Sequence, residues 1–407
     1  MTQQTELRLR PSWYLLGPAF VAATAYVDPG NVAANVSAGA RFGFLLVWVI
    51  LLANVMAGLV QYLSAKLGLV TGHSLPEAVG HRMRRSSRLA YWAQAELVAM
   101  ATDLAEVVGG ALALRLLFGL PLVIGGVITG LVSLVLLMVQ DRRGQRIFER
   151  VVTGLLLIIA IGFLTSLFVN PPPAGEFVGG MLPRFEGSDS VLLASAMLGA
   201  TVMPHAVYLH SGLARDRHGH PRGRRRALLL RVTRWDVTLA MVVAGAVNLA
   251  MLLVAATNLQ GRPDTDTIEG AHAAVADALG PTVALFFAVG LLASGLASTS
   301  VGAYAGAMIM AGLLHRKVPL LLRRLVTLAP ALVILAVGLE PTRALVLSQV
   351  VLSFGIPFAL IPLVRLTSDA SVMGADTNRR LTTALGWGVA ALISLLNVGL
   401  LYLTATG

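Results

Sequence analysis

Residues 26–35 read YVDPGNVAAN, inside a stretch otherwise apolar enough to cross a bilayer. Asp28, Pro29, Gly30 and Asn31 stand side by side where lipid-facing side chains are expected. A carboxylate at the centre of a membrane helix costs about 2.5–3.5 kcal/mol. Asp28 lies too deep in its span to reach the interface by snorkelling. The charge must therefore face a protein interior, and the adjoining helix breakers expose backbone polar groups to that same interior.

The rest of the chain supports a membrane setting. Of its 407 residues, 56% are hydrophobic and only 13% charged, with a mean hydropathy of +0.78. Soluble domains are nearer about a quarter charged. The apolar stretches run about twenty residues without strict alternation, which fits helices and not a β-barrel. There is no cysteine, so neither a disulfide framework nor a thiolate metal site is possible. The net charge of +11 would suggest nucleic acid in a soluble protein. Here it is expected to report cytoplasmic loops, with no nucleic-acid partner.

Eleven spans are predicted, at roughly 14–38, 43–70, 89–116, 121–139, 150–169, 190–213, 232–256, 276–312, 322–339, 344–364 and 382–404. The eighth is long and its start is indistinct. With the N-terminus inside, the inner segments collect HRMRRSSR (81–88), DRRGQRIFER (141–150), RDRHGHPRGRRR (215–226), Arg323, Arg324, Arg365, Arg379 and Arg380. The outer segments hold only Arg41, Arg115, Arg184, Arg262 and Arg343, along with the acidic Asp264, Asp266 and Glu269. The positive-inside bias thus places the N-terminus in the cytoplasm and the C-terminus outside. The first apolar run is read as a retained span and not a cleaved signal, because it is long and carries the Asp-Pro-Gly break.

A second break lies at 199–212, GATVMPHAVYLHSG, with Pro204 at mid-span between Met203 and His205. The two breaks fall in spans one and six. Equivalent positions five spans apart lie in units of opposite orientation, which is the inverted-repeat design of many secondary transporters. The expected division is 14–169 for the first repeat, 190–364 for the second and 382–404 for an added helix, all in one transmembrane domain. Paired Gly/Pro interruptions mark the substrate site in such folds. Ordinary proline kinks are the plainer explanation, but kinks do not require Asp28, Asn31 and His205 beside them.

The donors at the two breaks are the Asp28 carboxylate, the Asn31 amide oxygen, the Met203 thioether, and carbonyls freed by unwinding at Ala25 and Ala200. Magnesium and calcium take oxygen alone. A thioether is soft and shifts preference toward later metals. One sulfur among oxygens therefore favours Mn²⁺ or Fe²⁺ over the abundant alkaline earths, although methionine is more often a core filler. Gln349, a lone amide in span ten, serves either an interhelical hydrogen bond or the metal site.

Span three carries Glu96, Asp103 and Glu106 on one side of a helix. Such acids either lock helices through arginines, Arg323 and Arg324 being the available partners, or pass protons. His205 and His210 follow the second break, and a histidine can change charge near neutral pH. His210 is equally well read as a hydrogen-bonded structural residue.

Together these segments resemble the Nramp divalent-metal transporters, and among them the bacterial proton-coupled manganese type. The matching pieces are DPGN (28–31), MPHAVYLHS (203–211), TDLAEVVGGALAL (102–114), ASGLASTSVGAYAG (293–306) and PTRALVLSQVVLSFGIPFALIPL (341–363). They occur in the family's order across nearly the whole chain. The resemblance implies an all-α, leucine-transporter-type fold with spans 1–5 and 6–10 as inverted repeats. It implies metal binding by Asp28, Asn31, Met203 and the Ala200 carbonyl, with Gln349 joining in some states. It implies a proton pathway through Asp28, Asp103, Glu106, Glu96, His205 and Arg324. It implies import of Mn²⁺ or Fe²⁺ with H⁺, and no prosthetic group. Departures are mild: Leu296 stands where many eukaryotic members have glutamine.

Other classes fit less well. A cation-coupled amino-acid transporter of the same fold would have Asp28 repelling the substrate carboxylate. A Mg²⁺-preferring member is disfavoured by Met203. No HExxH, GxSxG or P-loop occurs, so neither an intramembrane hydrolase nor an ATP-driven pump is expected. A channel filter is usually repeated by subunit symmetry, whereas this pair of breaks is asymmetric and complete in one chain, consistent with a monomer.

Overall fold

A computed structural model describes residues 17–143, 145–262, 265–315 and 320–406, and every regular element in them is helical. In chain order these are α1 (Pro18–Thr24), a 3-10 turn (Ala25–Val27), α2 (Pro29–Phe42), α3 (Val47–Thr71), α4 (Leu75–Gly80), α5 (Arg85–Phe118) and α6 (Leu122–Arg143). Next come α7 (Gln145–Val169), α8 (Ala174–Gly179), α9 (Gly187–Thr201), α10 (Pro204–His218), α11 (Gly223–Asn258) and α12 (Ile268–Leu279). The chain closes with α13 (Pro281–Leu314), α14 (Leu320–Val337), α15 (Pro341–Ser368), α16 (Ala370–Met373) and α17 (Arg380–Thr406).

Among the described residues, 8 helices are long and apolar enough to cross a membrane, and three shorter apolar segments lie at Pro18–Val27, Leu122–Leu136 and Val326–Val337. Together they account for the eleven expected spans. The eighth is corrected. The 276–312 segment is two helices, because Gly280 takes φ 93 and Pro281 begins a new helix. The outer piece, α12, starts back at Ile268 with Thr267 as its cap.

Proline explains the shape of both broken helices. Pro29 and Pro204 do not kink a continuous helix; each is the first residue of a second half-helix. That position suits proline, since its missing N–H would be unpaired there anyway. The preceding residues, Asp28 at ψ 166 and Met203 at ψ 123, turn out of helical geometry, the conformation that a following proline favours.

Two further prolines shape α15. Pro357 and Pro362 leave the carbonyls of Ser353 and Phe358 without their helical donors. Asn397 of α17 donates Nδ2 to the Ser353 oxygen at 2.8 Å. Tyr91 of α5 donates its hydroxyl to the Phe358 oxygen at 2.5 Å. Neighbouring helices thus repair what the prolines break, as buried backbone groups require.

At the centre of the bundle, α5 packs on α13, α15, α6 and α14. The helices that carry the breaks, α2 and α9, touch each other, and both touch α15.

Candidate metal centre

The two breaks meet. Asn31 Nδ2 donates to the Ala200 carbonyl at 2.8 Å and to Asp28 Oδ1 at 3.0 Å. Asp28 Oδ1 also caps α2 by accepting from Asn31 N at 2.8 Å. Asp28 therefore has a local structural role as an N-cap. Its other oxygen, Oδ2, accepts from Gln349 Nε2 at 3.3 Å. Thr201 Oγ1 reaches Asn31 Oδ1 at 3.5 Å. Asp28, Asn31, Ala200, Met203 and Gln349 are each 0% exposed, and Ala25, in the 3-10 turn, is buried with them.

Gln349 bonds across helices, and its partner is the Asp28 carboxylate. Its approach depends on Gly30, because a Cβ there would overlap the Gln349 amide. Among the described residues, no three His, Cys, Asp or Glu side chains converge on one ion position. The donors expected here are instead one carboxylate, amides, a thioether and carbonyls. The C-terminal ends of α1 and α9 present those carbonyls, and such helix ends favour cations.

Several residues that shape this centre were not singled out from the sequence. Asn248 of α11 donates to the Tyr26 carbonyl at 2.8 Å and accepts from Asn35 of α2 at 3.2 Å, so it ties the two halves of the first span together. Ser294 of α13 donates to the Val27 carbonyl at 2.5 Å. The signal that flagged Gln349, a lone amide inside an apolar span, would have found Asn248 too. Ser294 had no such mark.

The acids of span three all lie on α5. Asp103 and Glu106 are buried, and Glu96 is half-buried. His205, two residues past Met203, shares a 3.2 Å hydrogen bond with Thr102 Oγ1 of α5, the residue next to Asp103 in the chain. His205 thereby joins the second break to the acidic helix. His210 is bound elsewhere: its Nδ1 shares a 2.6 Å hydrogen bond with Gln61 Oε1 of α3. Arg323 and Arg324 begin α14, but their side chains lie outside the described residues.

A vestibule of about 400 Å³ is walled by α2 (Ser37), α9 (Leu193) and α15 (Val346), with Asp266 and Glu340 at its rim. Val346 is one turn from Gln349, and Ser37 under two turns from Asn31. On the opposite, arginine-rich face the start of α1 is held by Asp236 of α11, whose oxygens accept from Gly17 N at 3.1 Å and Ala19 N at 3.0 Å. The end of α10 is held by ion pairs from Arg215 to Glu77 and from Arg217 to Glu149. Burial raises the Glu77 pKa, but bonds from Arg215 and Ser74 outweigh it and hold the carboxyl below its usual range.

A helical membrane bundle whose two broken helices meet at a buried carboxylate defines a secondary transporter. The sequence matches the family described as Nramp, natural resistance-associated macrophage protein-like, over residues 19–403, and the chain belongs to that family. It is 72% identical over 408 residues to the Mycobacterium tuberculosis divalent metal cation transporter MntH, covering 100% of this chain and 95% of the relative. It superposes with a TM-score of 0.84 on the Eremococcus coleocola manganese transporter, crystallised with an aromatic bis-isothiourea compound. That structure is 30% identical, with 97% of this chain and 87% of the other covered. MhsT in complex with L-phenylalanine, 14% identical with a TM-score of 0.59 over 100% of this chain and 99% of its own, shares the fold alone. The fold is the expected leucine-transporter type.

Proposed function

We propose that this protein imports divalent transition-metal ions, Mn²⁺ or Fe²⁺, together with protons, by alternating access. One observation carries this reading. The Asn31–Ala200 bond closes the two breaks around Asp28, within three residues of the Met203 sulfur. A carboxylate, amide and carbonyl oxygens and one thioether suit a borderline ion better than Mg²⁺ or Ca²⁺. The metal ligands are Asp28, Asn31, Met203 and the Ala25 and Ala200 carbonyls, with Gln349 as a further oxygen donor once its amide turns. The relatives' printed functions, divalent metal cation and manganese transport, agree.

Packing supports inverted repeats at 14–169 and 190–364. Exchanging the repeats turns the contact of α2 with α11 into that of α10 with α3, and the contact of α7 with α13 into that of α15 with α5; all four exist. The positive-inside bias orients the arginine-rich face to the cytoplasm of the plasma membrane, with the N-terminus inside, the C-terminus outside and a monomer as the working unit. The vestibule then faces outward. Metal enters there, α1 and α10 release their inner ties, and the ion leaves inward. Protons pass from Asp28 by way of His205 to Asp103, Glu106 and Glu96.

The test is Mn²⁺ uptake into proteoliposomes by the Asp28→Ala variant. Uptake is expected to vanish, and normal uptake overturns the assignment.

A further inference from the structure

Away from the transport site, three histidines meet on the arginine-rich face. His73 follows α3, His81 ends α4 and His315 ends α13. The His73 and His81 rings lie 5.5 Å apart between centroids, and the His81 and His315 rings also lie 5.5 Å apart. All three are exposed. The mechanism uses none of them.

Two observations set this trio apart from a chance surface cluster. His315 takes φ 54, and among the described residues it is the one non-glycine with positive φ. That conformation is normally left to glycine at a helix end, and a non-glycine there stores about 1–3 kcal/mol of strain. The mounting is also rigid. A Cβ on Gly80 would stand 2.5 Å from the Gly312 carbonyl, and one on Gly312 would stand 2.7 Å from Pro76 Cβ. The backbones of α4 and α13 therefore touch directly beneath the rings, and the spacing of His81 and His315 is held by main chain.

We infer that His73, His81 and His315 form a second, surface metal site that takes a borderline divalent transition ion through imidazole nitrogens. Two imidazoles on one tetrahedral ion, with metal–nitrogen bonds of about 2.1 Å, hold their ring centres roughly 5 Å apart, close to both separations seen here. As placed, the rings do not converge on one ion position. His73 and His315 must turn inward toward His81, a motion open to exposed side chains on a fast timescale. Glu77 lies 3.9 Å from His73 Nδ1 and is itself engaged by Arg215, while Arg82 bonds the Ala78 carbonyl at 2.9 Å. An imidazole set follows the general order Mn²⁺ < Fe²⁺ < Co²⁺ and suits Zn²⁺ well. Binding displaces protons, so it weakens on acidification.

The experiment measures Zn²⁺ bound to tag-free, detergent-solubilised protein by equilibrium dialysis. Asp28→Ala removes the transport site. This variant is expected to keep one Zn²⁺ per chain near neutral pH. The double variant with His81→Ala should lose it, and the double variant with His272→Ala, on the opposite face, should keep it. Mn²⁺ uptake by the single His81→Ala protein checks that the fold survives. Absence of bound Zn²⁺ in Asp28→Ala, or unchanged binding after His81→Ala, overturns the inference.

Discussion

Gly30→Ala separates a site built by close approach from one built by composition. Gly30 is the second residue of α2, where alanine is the better helix former by about 1 kcal/mol. Local propensity therefore predicts a gain. The tertiary structure predicts a loss, because the new methyl would overlap the Gln349 amide and stand 2.8 Å from Gln349 Cγ. Gln349 cannot give way at no cost: it is fully buried and its Nε2 is engaged by Asp28 and by Ser348 at 3.2 Å. Overpacking of this kind costs about 1–3 kcal/mol, and each lost hydrogen bond about 1 kcal/mol. The net is roughly 1–4 kcal/mol against the closed site, or about five-fold to several-hundred-fold weaker Mn²⁺ binding if the site carries it all. The assay is Mn²⁺ uptake and thermal stability across a double-mutant cycle with Gln349→Ala, which removes the colliding atoms. Gly30→Ala should lower uptake at sub-saturating Mn²⁺ by about five-fold or more, while the double variant should be no worse than Gln349→Ala alone. Wild-type uptake in Gly30→Ala, or strictly additive losses in the double variant, refutes the contact-based reasoning.

Three further outcomes are expected. Met203→Ala should keep part of Mn²⁺ transport while admitting Ca²⁺ or Mg²⁺ in competition uptake; unchanged discrimination removes the sulfur's role as a filter. Asp103→Asn should weaken acid-stimulated uptake more than Mn²⁺ binding, and an unchanged pH profile of transport makes the acid structural. Asn397→Leu strands the Ser353 carbonyl beside Pro357 and should destabilise the protein by about 1–3 kcal/mol, read as a lower melting temperature; an unchanged melting temperature means that the carbonyl has found another donor.

Much of the fold was legible because lipid imposes strict terms. Span lengths, short loops and arginine bias follow from hydrocarbon thickness and charge cost. Asp28 and the two prolines stood out for the same reason: each is expensive in a helix unless something repays it. The misreadings came where local sequence is neutral. Nothing in an apolar run showed that 276–312 is two helices, since Gly280 and Pro281 are individually tolerated in membrane spans. His205 and His210 could be ranked from the sequence, with His205 the stronger candidate, but their partners could not be read. Those partners are Thr102 beside Asp103 for one and Gln61 for the other.

By itself the sequence determined that this is a multi-span helical membrane protein with two unwound points and a carboxylate it cannot hide in lipid. Those conclusions rest on solvation, which each residue carries with it. Tertiary structure alone decided which groups meet: Asn31 bridging to Ala200, Asn248 holding Tyr26, Gln349 admitted by Gly30, and three histidines gathered where α4 rests on α13. Contacts between residues hundreds of positions apart depend on how helices cross, and no local pattern encodes that geometry. The opening stretch, YVDPGNVAAN, announced a break in a helix; the fold decided what the break faces.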